Sequence, residues 1–107
     1  MNKKEEMQKI AFEIISNVGM AKSLYLESLS FAKKNDFTKA DELFKEAQET
    51  YNKGHAIHFQ LIQEEANGID LPFSLVLMHA EDQLLNTQTI EILVKELIDI
   101  YRKESLC

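Results

Sequence analysis

The segment "AKKNDFTKA" at residues 32–40 decides the fold, because it separates two long stretches of helical periodicity. Lys33 and Lys34 are typical of a helix C-terminus, where positive charge is favourable. Asn35 and Asp36 then indicate a tight turn that ends in the N-cap of a second helix. A turn of so few residues predicts that the two helices are antiparallel neighbours.

Apolar and small residues recur every three or four positions on both sides of this turn, which is the spacing of one helix face. The first set is Met7, Ile10, Ile14, Val18, Ala21, Tyr25, Ser28 and Ala32. The second set is Ala40, Leu43, Ala47, Tyr51, Gly54, Ile57 and Leu61. The two patterns predict helices over about residues 4–34 and 37–66, with Thr38 as an alternative N-cap for the second.

A second turn follows at "ANGID", residues 66–70. Its Asn-Gly pair tolerates the left-handed conformation that ends many helices. Asp70 followed by Pro72 predicts the N-cap and first turn of a third helix over about residues 72–103, and Ser74 is a competing start. We therefore expect one domain spanning all 107 residues, an all-α, antiparallel three-helix bundle with up-down-up topology.

The composition argues against several classes of protein. The chain has 12 Lys plus Arg and 18 Asp plus Glu, a net charge of −6, whereas binding to nucleic acid needs clustered positive charge. The longest apolar run, Leu75 to Met78, is too short to cross a bilayer, and no signal peptide is visible. A single cysteine, Cys107, cannot form an internal disulfide, which fits a cytoplasmic protein.

His79 is the candidate reactive residue, since it follows four apolar residues in "LVLMHAEDQ", residues 75–83. Positions three and four apart share a helix face, so Asp82 and Gln83 accompany His79 while Glu81 points elsewhere. A neutral imidazole is a nucleophile that can hold a phosphoryl group as a phosphoramidate, and a hydrogen bond usually fixes its second nitrogen. The alternative is that His79 belongs to an ordinary polar layer of the bundle.

His55 and His58 lie three residues apart on one helix face and could share a metal ion. No second spaced pair accompanies them, and the Glu-x-x-His and His-Glu-x-x-His motifs are absent. We therefore expect His55 to be a partly buried polar residue and His58 a surface residue. No glycine-rich phosphate loop is present, so neither direct use of a nucleotide nor an organic cofactor is expected.

The third helix carries two apolar stripes, whereas the core of a single subunit needs only one. The stripe predicted to face this core includes Leu77, Leu84, Leu93 and Leu97. The other stripe is Leu75, Met78, Asp82, Leu85, Thr89 and Ile92. Because this second set alternates by threes and fours, as at a seam between helices, it predicts contact with other subunits. The carboxylate of Asp82 within it needs a cation, a proton or a polar neighbour.

Four motifs together resemble the IIA component of the lactose and cellobiose/chitobiose class of the bacterial phosphotransferase system. They are "VGMAKSL" at residues 18–24, "AKKNDFTKA" at 32–40, "LIQEEANG" at 61–68 and "SLVLMHAED" at 74–82. The family carries His-Ala-Gln-Asp-His-Leu where this chain has its histidine motif. All four occur in order and at the right spacing, and the likeness extends over nearly the whole chain.

The resemblance implies a homotrimer of three-helix subunits and a phosphotransferase component that works through a phosphohistidine. His79 matches the phosphorylated histidine, which accepts the group from the histidine phosphocarrier protein and passes it to a cysteine of the IIB component. The sugar, a β-linked disaccharide such as lactose, cellobiose or chitobiose, then enters through the IIC membrane permease. Asp82 matches an aspartate at the trimer axis, where a divalent cation, Mg²⁺, is a structural cofactor.

The chain departs from the family pattern at four positions. Glu81 replaces a glutamine, Gln83 replaces a histidine, and His58 and Phe59 replace a Gln-Thr pair. Gln83 can give His79 a supporting hydrogen bond but cannot titrate. These changes keep a second interpretation open, in which the chain is a helical adaptor or regulatory scaffold that kept the fold without phosphotransfer.

Overall fold

The computed structural model describes residues 2–106 and contains three α-helices in this range, with no strand. Helix α1 is Lys3–Lys33, α2 is Phe37–Ala66 and α3 is Leu75–Ser105. The all-α prediction is confirmed, and the helix bounds agree with the sequence patterns except at the start of α3. Cys107, on which the disulfide prediction depends, lies outside the described residues.

The turn between α1 and α2 forms as its residue types indicate. Asn35 has a φ of +65°, a left-handed conformation that asparagine tolerates better than most residues. The side chain of Asp36 then accepts a hydrogen bond from the backbone N–H of Lys39 at 3.1 Å. Asp36, rather than Thr38, is therefore the N-cap of α2. At the other end of α2, Gly68 has a φ of +88°.

The start of α3 differs from the expected one. Ser74, not Asp70, is the N-cap, and its hydroxyl accepts a hydrogen bond from the backbone N–H of Leu77 at 3.2 Å. Pro72 lies in the connecting loop, so the interpretation with proline in the first helical turn is wrong. Since a proline disfavours helical geometry in the residue before it, α3 begins at the next good cap.

Contacts between the helices confirm the up-down-up topology. The ring of Tyr25 packs against that of Phe44 at 5.1 Å, whereas Val18, earlier in α1, contacts Gly54, later in α2. These two helices are therefore antiparallel. Helix α3 runs parallel to α1, because Phe12 and Leu75 line one groove near their N-terminal ends. The bundle is long and narrow, with extents of 58 × 22 × 18 Å.

The core follows the stripes predicted for α1 and α2, with α1 packed against both other helices. Its buried members include Ile14, Val18, Ala47 and Leu84. The prediction for the second half of α3 is wrong: Leu93 and Leu97 are 56% and 41% exposed. Val94 and Ile98, each one residue further along and about 100° around the helix, are buried instead.

Candidate functional site

His79 lies near the N-terminus of α3, and its side chain is exposed. Ser74 is buried and caps this end of the helix, so the first turn of α3 is well defined. Ala80 is fully buried, so its side of α3 faces the core. His79 lies near the outer side of α3, which faces away from the core. The positive end of the α3 dipole is close by, and helical side chains lean toward this end.

A groove of about 450 Å³ between α1 and α3 contains His79. Its walls are Phe12, Ile15, Leu75, Val76, Met78, His79 and Asp82. The structure thus brings Asp82 beside His79 as the sequence predicts, whereas Gln83 is partly buried and does not line this groove. No lysine or arginine is among the described residues that form its walls. A negative group on His79 would therefore have no cationic side chain of this chain in the groove.

The α2 side of α3 carries a second polar feature. Nε2 of His58 lies 2.8 Å from Oε2 of Glu81. His58 is thus largely shielded, with 15% of its side chain exposed, while His55 is exposed and stacks on Phe59 at 6.4 Å. The expectation for the two histidines is therefore reversed. The sequence could not indicate this contact, because 23 positions separate the partners.

Residues 9–102 match the model of a family described as "PTS system, Lactose/Cellobiose specific IIA subunit". The chain belongs to this family of IIA subunits. Its match covers all three helices and includes His79, Asp82 and the His58–Glu81 contact. The role of His79 stays a prediction, because the match identifies the family and not the reactive atom.

Similar proteins cover nearly the whole chain. The lactose-specific EIIA component of Staphylococcus epidermidis is 37% identical over 95% of this chain and 98% of that protein. The oligo-beta-mannoside-specific EIIA component of Bacillus subtilis is 38% identical over 92% of this chain and 90% of that one. Relatives that are named for different sugars thus have nearly the same sequence identity to this IIA chain.

Solved structures agree with the fold. The cellobiose-specific enzyme IIA from Bacillus anthracis superposes with a TM-score of 0.90 at 39% identity, covering 94% of this chain and 92% of that one. The IIA of the N,N'-diacetylchitobiose branch of Escherichia coli was solved in complex with HPr. It superposes with a TM-score of 0.81 at 29% identity, covering 92% of this chain and 96% of that one.

The outer side of this IIA chain is unusually apolar. On α3, Leu75, Leu85 and Ile92 are 72%, 61% and 58% exposed, and they are members of the stripe predicted to contact other subunits. On α1, Phe12 and Leu26 are also exposed. Several large exposed apolar side chains along the helices of a single chain are typical of an interaction site. No described helix combines the length and apolar character that a bilayer crossing needs.

Within residues 2–106, no group of three His, Cys, Asp or Glu side chains is arranged to hold an ion. Asp82 is exposed on the outer side of α3, so it can contribute one carboxylate, and His58 is already paired with Glu81. A hard divalent cation takes several oxygen ligands, and Asp82 by itself supplies one carboxylate.

Two polar contacts between α2 and α3, one exposed and one buried, were not predicted from sequence. Gln48 donates a hydrogen bond to the Glu91 carboxylate at 3.2 Å, and the hydroxyl of Tyr51 donates to the backbone carbonyl of Leu84 at 3.2 Å. Burial, and then the nearby Glu91 carboxylate, raises the pKa of Tyr25 and that of Tyr51. Both tyrosines lie in the predicted core stripes, so their spacing identified them as buried but not as lying near a carboxylate.

Proposed function

We propose that this IIA chain is a phosphoryl carrier whose reactive residue is His79. It accepts a phosphoryl group from the histidine phosphocarrier protein and passes it to a cysteine of a IIB component. The sugar is a β-linked disaccharide of the lactose, cellobiose or chitobiose class. The main support is one observation: within the range that matches the family, His79 is an exposed imidazole in an apolar groove.

The proposed phosphoryl transfer needs only the imidazole ring of His79, held in a suitable position. A lone pair on one nitrogen of neutral His79 attacks phosphorus, so that a new N–P bond forms on His79. The N–P bond on the carrier breaks, and its electron pair returns to the carrier's imidazole. In the second step a cysteine thiolate of the IIB component attacks the same phosphorus, the new N–P bond breaks, and neutral His79 is restored. No net oxidation occurs in either step.

The position of His79 near the N-terminus of α3 supports this role. The phosphoryl group is strongly negative, and the N-terminal end of a helix favours negative charge. Because no lysine or arginine lines the groove among the described residues, further positive charge must come from the partner.

We propose that the partner protein binds to the exposed apolar residues around His79, with charge in a supporting role. The complex of the related chitobiose IIA with HPr supports a phosphocarrier as the partner. Exposed Phe12, Leu75 and Met78 flank His79 and offer a surface for it. The net charge of −6 would speed the encounter with a basic rim on the carrier.

We also propose that the chain assembles as a homotrimer through the stripe of α3 that contains Leu75, Asp82 and Ile92. The exposed apolar residues of this stripe need a cover, and Asp82 interrupts them with a carboxylate. Three copies around an axis would bring three such carboxylates together, and they would repel one another without a cation. Mg²⁺ is the proposed structural ion, because carboxylate oxygens are its preferred protein ligands.

The test is labelling with phosphoenolpyruvate in the presence of the two general phosphotransferase proteins. Mass spectrometry should find one acid-labile phosphoryl group on the wild type and none on His79→Ala, with helical content unchanged. His55→Ala is the matched control, because His55 is also an exposed histidine. Acid-labile phosphate on His79→Ala would refute the assignment, and an unlabelled wild type would favour the adaptor or scaffold interpretation.

A further inference from the structure

Two of the four departures from the family pattern contact each other across the bundle. Nε2 of His58 on α2 lies 2.8 Å from Oε2 of Glu81 on α3. We propose that this pair is a positioning contact. It fixes the first turns of α3 relative to α2, and it thereby fixes the position of the His79 ring. The inference rests on the proposed role of His79.

Helices α2 and α3 pack less closely against each other than either packs against α1. A cavity of about 220 Å³ opens beside the pair, lined by the loop residues 71–74 and by side chains that include Leu61 and Leu77. Side chains that line an open groove make fewer packing contacts on that side. The spacing of α2 and α3 at this level therefore depends partly on the polar contacts that bridge them, in addition to the packing of both helices on α1.

The pair is the bridging contact closest to the proposed reactive residue. Among residues 2–106, hydrogen bonds of side chains between α2 and α3 join His58 to Glu81, Tyr51 to the backbone carbonyl of Leu84, Gln48 to Glu91 and Asp41 to Arg102. Glu81 is two residues from His79, whereas the other three partners on α3 lie further toward its C-terminus. The side chain of His58 is 15% exposed and that of Glu81 is 44% exposed, so the contact is shielded from water on the histidine side only.

The pair acts through the helix and does not touch the reacting atoms. Two residues along a helix correspond to a rotation of about 200°, so Glu81 leaves α3 on nearly the opposite side from His79. Both partners are thus positioning residues. A displacement of about 1 Å in a reacting group can slow a reaction roughly 100-fold, so a small shift of the first turns of α3 is enough.

Two substitutions at one position separate the hydrogen bond from side-chain bulk. His58→Leu removes the contact to Glu81 but keeps an apolar side chain in the same space. His58→Gln restores an N–H donor at similar reach. Asp41→Ala is the matched control, because it breaks the 2.7 Å contact to Arg102 that bridges the same two helices. Along α3 that contact is about 30 Å away from the His58–Glu81 contact, at 1.5 Å per residue.

The measurement is the initial rate of His79 phosphorylation by the phosphorylated carrier protein, over a range of carrier concentrations. We expect His58→Leu to lower the maximal rate about five- to tenfold and to leave the half-saturating concentration within about twofold. His58→Gln and Asp41→Ala should stay within about twofold of the wild type in both quantities.

Three results would overturn the positioning role alone, in a wild type that is phosphorylated. They are a His58→Leu rate equal to the wild type, a His58→Gln rate as low as that of His58→Leu, and an equal loss in Asp41→Ala. The last would mean that any loosening of the bundle slows the reaction. A wild type that takes up no phosphoryl group would overturn the proposed function and this inference with it.

Discussion

Two glycines inside helices offer a matched test of how closely the helices pack. A Cβ added at Gly54 would lie 2.9 Å from Cγ2 of Val18, whereas a Cβ at Gly19 would meet nothing within 4 Å. Alanine is favoured over glycine in a helix interior by up to about 1 kcal/mol. Both substitutions receive this gain, so the difference between them reports on the contact with Val18.

The contact cannot relax easily. Val18 is fully buried, and the branched side chain of valine has one strongly preferred rotamer in a helix. Forcing an extra methyl group into a packed core costs about 1–3 kcal/mol. Gly54→Ala should therefore lower the free energy of unfolding by up to about 2 kcal/mol once a helix gain of about 1 kcal/mol is subtracted, while Gly19→Ala raises it by up to about 1 kcal/mol.

Urea denaturation followed by far-UV circular dichroism, at one low protein concentration, measures both changes. For a domain of this size, each kcal/mol also moves the melting temperature by roughly 4–8 °C. A Gly54→Ala protein as stable as Gly19→Ala would refute the close approach of α1 and α2. A loss of stability in Gly19→Ala that grows with protein concentration would instead indicate that another chain packs on this part of α1.

Three further outcomes are expected. The raised pKa of Tyr25 means that the folded protein holds the hydroxyl proton more tightly than the unfolded chain does. The contribution of this proton to folding stability is complete below about pH 10 and is lost as the pH rises further. Tyr25→Phe should thus unfold at a higher pH in an alkaline titration, and an unchanged midpoint would contradict this. If the chain is a trimer, light scattering should find Asp82→Leu still trimeric in chelator, because an apolar side chain can replace a buried charge at little cost. The wild type should lose thermal stability in chelator. A trimer that responds neither to chelator nor to Asp82→Leu would exclude the cation. Added salt should slow phosphorylation by the carrier more than it lowers the final extent, and a salt-independent rate would contradict electrostatic steering.

The start of α3 illustrates the limit of local signals. Asp36 and the Asn-Gly turn acted as predicted, because a cap depends on hydrogen bonds within a few residues. Asp70, Pro72 and Ser74 offered two local solutions of similar quality. The structure selects Ser74, whose side chain is buried at 5% exposure. Which of two good caps is used thus depends on how the loop packs, and that is a property of the whole bundle.

The sequence by itself determined the number of helices, most of their bounds, the face that α1 and α2 bury, and the placing of His79 and Asp82 on one side of α3. All of these follow from periodicity and short-range hydrogen bonds. Only the tertiary structure decided that Val94 and Ile98 are buried in place of Leu93 and Leu97, and that His58 reaches Glu81. Apolar residues cover more of α3 than one core can bury, so its rotation is set by packing against α1. Partners on different helices meet only once that rotation is fixed.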